Sequence, residues 1–166
     1  MPSPTWVKRL AVALALAVAS LARAADAADA RLADLNTFWA GISRAVQTGD
    51  FAAYAATCHP DGVLVLGEKQ TTLPLARALA SWQPGFADTK SGKIKASVEF
   101  RFRHRWGDAT TAHESGIFCY TSVDAAGQAT AAYVQFEVLL VKKGRWLTLM
   151  EHQQKAASAA EWAALK

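Results

Sequence analysis

Apolar residues change their rhythm midway along the chain. In the first half they recur at spacings of three and four. Leu32, Leu35, Trp39, Ile42 and Val46 form the stripe of an amphipathic helix that buries one face. Gly49 follows as a C-terminal stop. Asp50 is placed to cap a second helix over "FAAYAATC", because its carboxylate can accept from free N–H groups there. His59 precedes Pro60, which pushes it out of helical geometry and ends that helix. "VLVL" at 63–66 predicts a short strand and "GEKQ" a turn. "TLPLARALASW" at 72–82 predicts a third helix with Pro74 in its first turn, and residues 85–92 read as a polar loop.

Beyond residue 95 the period is two. "SVEFRFRHRW" sets Val98, Phe100, Phe102, His104 and Trp106 on one face, with Glu99, Arg101, Arg103 and Arg105 on the other. Gly107-Asp108 predicts a tight turn into "ATTAHESGIFCYTSV". A loop around Gly127 leads to "AAYVQFEVLLV", Lys143-Gly144 to "RWLTLMEHQQ", and a short Ala-rich helix closes the chain. Three helices followed by a meander of long strands make an α+β domain, with the helices on the concave face of a curved antiparallel sheet.

The N-terminus stands apart. "MPSPTWVKRLAVALALAVASLARAADA" has Lys8 and Arg9, an apolar run from Leu10 to Leu21, and small residues at Ala22 and Ala24. This is the layout of a secretory signal peptide cleaved after Ala24 or Ala27, and the run is shorter than the roughly 20 residues a bilayer span needs. The expected organisation is a signal peptide at 1–24, a linker at 25–30, one domain at 31–154, and a short helix or tail at 155–166. The expected location is periplasmic or secreted, without stable membrane association after cleavage. The chain has 18 basic and 14 acidic residues. Loss of Lys8, Arg9 and Arg23 with the leader brings the net charge from +4 to near +1, so no global field favours nucleic acid.

Candidate chemistry depends on register. A two-residue turn at Gly107-Asp108 would set Phe102 against His113 and Phe100 against Ser115, placing His104, His113, Ser115, Ile117 and Cys119 on the apolar face. Arg101 would then pair with Glu114 on the outer face. A two-residue turn at Lys143-Gly144 would set Phe136 against Glu151, turning Glu151 inward and His152 outward. A one-residue bulge would reverse that order. His104, His113 and Glu151 thus become a candidate acid–base set, or a two-His-one-carboxylate metal set. The plainer alternative is that neighbouring groups or water satisfy both imidazoles, and no cofactor is implied. For His59 and Asp61 in "HPDGV", turn chemistry is the favoured role. Trp39, Tyr54, Trp82 and Trp106 either line a pocket or fill the core. No phosphate-binding Gly loop, CxxC, HExxH or internal repeat occurs.

Gly49-Asp50 between helices one and two, "HPDGV" after helix two, and Gly-x-Trp opening the last strand give the chain a resemblance to the nuclear transport factor 2-like superfamily. It most resembles the SnoaL-like and ketosteroid-isomerase-homologue branch. The superfamily also holds the kinase association domain and many exported proteins. The resemblance covers about residues 30–154 and implies a cone-shaped sheet enclosing a pocket. It also implies that Cys58 faces the pocket, which with Cys119 on the inner face would permit a Cys58–Cys119 disulfide. His152 matches a His of several relatives. Carried over from Gly49-Asp50 and Gly144, the isomerase's polar positions fall on Ile42, Leu66 and Phe136, all hydrocarbon, which argues against that reaction.

The leading expectation is an exported protein holding an apolar or aromatic small molecule, with Trp39, Tyr54, Trp82, Trp106, Ser115 and His152 as candidate contacts. A SnoaL-like enzyme using His104, His113 and Glu151 is the alternative. A dimeric interaction module is the third reading. In it Tyr133, Leu139 and Val141, alternating with Gln135 and Glu137, form a homodimer surface on the outer sheet face.

Overall fold

A computed structural model describes residues 27–165; the leader and its cleavage sites lie outside them. Helix α1 is described over residues 27–48, so the expected linker is helical from residue 27. Gly49, at φ 65°, makes the turn that a β-carbon would block, because that atom would lie 2.4 Å from the backbone nitrogen of Lys90. Asp50 then caps α2 (Phe51–Ala55), its side chain accepting from the Ala53 N–H at 3.0 Å.

Two element boundaries differ from expectation, each for a packing reason. Helix α2 ends three residues early because Cys58 joins strand β1 (Cys58–Leu66), where it pairs with Thr148. Residues 59–62 bulge out between Cys58 and Val63, and the His59 Nδ1 accepts from the Asp61 N–H at 3.1 Å. Thr71–Pro74 forms β2 against β1 rather than a helical turn. Helix α3 (Leu75–Lys90) continues through Pro84 and over most of the stretch read as a loop, as far as Lys90. A mid-helix proline costs ~3 kcal/mol. Burial of Phe86 against Phe51 and Tyr54 returns about 1.5–3 kcal/mol of that.

Four long strands follow: β3 (Lys95–Gly107), β4 (Thr111–Val123), β5 (Ala129–Lys143) and β6 (Arg145–Ala156). The curved, unclosed sheet has the order β2-β1-β6-β5-β4-β3, antiparallel except for β1 beside β6. Helices α1 and α3 are the two long helices, with α2 a short step between them. The core joins Leu35, Trp39, Ile42 and Val46 of α1 to Phe136, Val138 and Leu140 of β5. Leu64 of β1 meets Leu75 and Ala78 of α3 in a second cluster. Among the described residues no helix is long and apolar enough to cross a membrane.

The C-terminal helix α4 (Ala159–Ala164) packs on the convex face. A capping box between Ser158 and Glu161 starts it. Arg101 donates to the Trp162 and Leu165 carbonyls, both at 2.9 Å, with its guanidinium 4.3 Å from the Trp162 ring centre. Trp162 also lies against Tyr133. One part of the expected dimer surface is therefore covered by the chain's own end.

Candidate functional site

Register decides which side chains enter the cone, and both hairpins depart from the simple turns. Between β3 and β4 the loop is longer than two residues. Asp108 accepts from the Thr110 and Thr111 N–H groups at 2.7 and 2.8 Å, which hold its carboxyl down at about 2. Gly107 pairs with Ala112 and Trp106 with His113. A bulge then falls between Phe102 and His104, leaving Arg103 extra, and Phe100 pairs with Phe118.

That bulge inverts the parity of the strand. Val98, Phe100 and Phe102 face inward as expected, but His104 and Trp106 point outward. On β4 the inward residues are Ala112, Glu114, Gly116, Phe118 and Tyr120, while His113, Ser115, Ile117 and Cys119 face out. Gly116 permits the bulge, since a β-carbon there would lie 2.0 Å from the Arg101 carbonyl oxygen. His104 stacks on Trp106 with centroids 4.7 Å apart, and Trp106 on His113 at 5.8 Å. Trp106 is 60% exposed.

Between β5 and β6 the turn is one residue tighter than expected, Lys143 facing Arg145 across Gly144, and a bulge at Leu149 then adds one residue. The two departures cancel. Glu151 pairs with Val138 rather than Phe136, yet still faces inward, and His152 faces outward with its Nδ1 3.8 Å from Glu137. The candidate acid–base set does not converge: Glu151 lies inside the cone and both imidazoles lie on its convex face. Among the described residues no cluster of three or more His, Cys, Asp or Glu could hold a metal.

Both cysteines carry free thiols. Cys58 faces the cavity, while the inverted parity of β4 turns Cys119 to the far side, beside Thr121 at 3.7 Å. A disulfide between opposite faces of one sheet is geometrically excluded.

The inner face and the helices enclose a cavity of about 520 Å³. Aromatic rings supply much of its wall: Trp39, Tyr54, Trp82, Phe86, Phe100 and Phe118. Its polar lining includes Thr148, Glu151 and Gln153 of β6 together with Tyr54 and Cys58, and Thr57, Ser81, Thr89 and Tyr120 add hydroxyls. The Gln153 amide donates to Glu151 Oε1 at 2.7 Å. Burial lifts the Glu151 carboxyl above its ordinary value, and the Gln153 hydrogen bond opposes that lift. Burial, then the neighbouring Glu151 and Cys58, push the Tyr54 phenol well up. Burial also raises the Cys58 thiol to about 11, against a lowering hydrogen bond from Thr57. Among the described residues no Lys, Arg or His lines this cavity.

One buried polar centre escaped the sequence reading. Glu114, expected on the outer face opposite Arg101, is fully buried. It accepts from the Trp39 indole at 2.5 Å and forms a close ion pair with Arg105, its cross-strand partner. Arg105 also reaches Asn36 on α1 at 2.6 Å. The available signal was the pairing of an Arg and a Glu on adjacent strands, but a count from the wrong turn gave Glu114 the wrong partner and face.

A family model described as the calcium/calmodulin dependent protein kinase II association domain matches residues 31–157. No curated protein matches the chain by sequence. Solved structures share the fold at low identity. An NTF-2 like protein of Shewanella oneidensis is 16% identical, with a TM-score of 0.56 over 74% of this chain and 97% of that one. A ketosteroid isomerase-like protein of Erwinia carotovora is 21% identical, with a TM-score of 0.52 over 73% and 92%. The association domain of C. elegans CaMKII is 16% identical, with a TM-score of 0.54 over 75% and 95%.

Proposed function

Because the chain belongs to the calcium/calmodulin dependent protein kinase II association domain family, whose fold encloses a pocket here, we propose that it is an exported protein binding a small apolar or aromatic molecule in that pocket. The observation that carries this reading is the cavity of about 520 Å³ with aromatic walls and a minority of polar groups. Such a concave site, mostly apolar with a few convergent polar groups, is the usual form of a small-molecule site. The His–Glu acid–base alternative loses both imidazoles to the opposite face. Ala132 lies exposed at the cavity's edge, and Ala132→Trp would plug it. Native mass spectrometry of protein from its own host should find a bound small molecule in the wild type and none in Ala132→Trp. Equal occupancy, or none in either, would count against the proposal. Export is supported by the leader at residues 1–24, and the intact mass of that same protein should begin at Ala25 or Ala28.

Self-association is the second reading, supported by the name of the family and by the outer face. Trp106, His113, Leu139, Met150 and Val63 form a continuous cross-strand row there, with Trp106 and Val63 at 60% and 39% exposure. This row, rather than the Tyr133 end covered by α4, would meet a second copy.

A further inference from the structure

A carboxyl group enclosed by protein needs a partner, and the cavity gives Glu151 half of one. Its Oε1 accepts from Gln153. Its Oε2 accepts from no donor among the described residues. No cationic side chain among the described residues faces it from the elements lining the cavity. The cavity's other polar groups are all uncharged: the Tyr54 phenol from α2, the Thr57 hydroxyl after it, the Cys58 thiol from β1, the Ser81 and Thr89 hydroxyls from α3, the Tyr120 phenol from β4, and Thr148 and Gln153 from β6, with β5 giving only hydrocarbon. The nearest imidazole in sequence, His152, lies through the sheet against Glu137. An uncompensated carboxylate in such a site is costly, and the cost is removed if a ligand brings the positive charge.

From this arrangement we infer that the cavity selects an organic cation: an aromatic or apolar body carrying one protonated amine, with Glu151 as its counter-ion. This deepens the binding reading above and rests on it. The ammonium donates to Glu151 Oε2, where a neutral hydrocarbon would leave that oxygen bare. The ring faces of Tyr54 and Trp82, which lie edge-to-face with centroids 6.0 Å apart, attract a cation as well as an apolar ring. A carboxylate ligand of the same shape is repelled by the one charge present and finds no Lys, Arg or His to receive it.

Three probes of matched shape separate the charge requirement from simple cavity filling: tryptamine, the uncharged 3-propylindole, and indole-3-propionate. Calorimetry on the full protein at neutral pH should give tryptamine a Kd at least tenfold below that of 3-propylindole, with indole-3-propionate weakest. In Glu151→Gln the tenfold preference should fall to within twofold while 3-propylindole still binds, which shows that the variant's cavity is intact. Because burial raises the Glu151 carboxyl, lowering the pH shifts it toward the neutral form sooner than a free carboxyl and should weaken tryptamine alone. If 3-propylindole binds as well as tryptamine, or if the preference survives in Glu151→Gln, the cation assignment fails and the pocket reading stands. If none of the three binds the wild type, both fail.

Discussion

The Trp39 indole donates to Glu114 at 2.5 Å across 75 residues of sequence, fastening α1 to the first part of β4. Arg105 completes the contact from the neighbouring strand. Helix α1 is therefore held by a directional polar contact as well as by the rings of Phe100, Phe102 and Phe136 around Trp39. Glu114→Gln leaves Arg105 without its charge partner, a change that typically costs about 3–5 kcal/mol in a buried pair. The arginine side chain is 20% exposed, which favours the lower end. Trp39→Phe leaves the ion pair in place and loses one donor, at about 1–3 kcal/mol. Urea denaturation should rank Glu114→Gln as the more damaging change, and the reverse order would show that the indole packing dominates.

Glu151 should make stability depend on pH in the direction opposite to most carboxylates. Its folded value lies above the unfolded value of about 4.3, so the folded state holds more protons between the two. Stability contributed by the neutral group is full at low pH and declines as pH rises through that window. Melting temperatures of the wild type and Glu151→Gln should agree near pH 4 and diverge toward pH 8, with the variant higher. Curves that run parallel across this range would mean that Glu151 ionises as freely folded as unfolded.

How much of this could be read from the chain alone depends on the kind of information. Period and capping located α1 and the four long strands, because burial and the Asp50 cap leave marks on residue type. Parity was lost at Arg103 and Leu149, where the bulges carry no Gly or Pro. The only trace of the first is Gly116 on the opposite strand. His104, Trp106, His113 and Ser115 were assigned to the wrong face for that reason, and Glu114 with them. Glu151 kept its face only because a tighter turn offset a bulge. Trp39, Tyr54 and Trp82 sit on helices, where bulges do not intervene, and they line the cavity.

With its thiol raised to about 11, Cys58 should be close to inert at pH 8, where roughly one part in a thousand is thiolate. Iodoacetamide should modify Cys58 in the native protein far more slowly than in urea, as read by peptide mass. The unfolded, unreduced protein should yield two reactive thiols. Fewer than two would reinstate the disulfide.

Trp106 provides the test of self-association. Placing a charge on the row it shares with His113 and Leu139 should separate copies that meet there. Light scattering should then show a smaller particle for Trp106→Glu than for the wild type. Binding in the cavity, on the other side of the sheet, should be unchanged. A wild type that is already monomeric at micromolar concentration would dispose of this reading.

The bulge at Leu149 has an evolutionary consequence. Strand β6 sends Trp146 and Thr148 inward, and a regular ladder would send Met150 and His152 after them. The extra residue substitutes Glu151 and Gln153. A descendant that smoothed the strand without losing a residue would exchange an acid for an imidazole at the heart of the cavity while changing no side chain. A descendant that deleted Leu149 would keep the acid, because the pairing beyond it is already displaced by one. Which side chains reach the pocket is thus set here by the bulge as well as by residue type, and the same holds wherever a bulged β-strand borders a binding site.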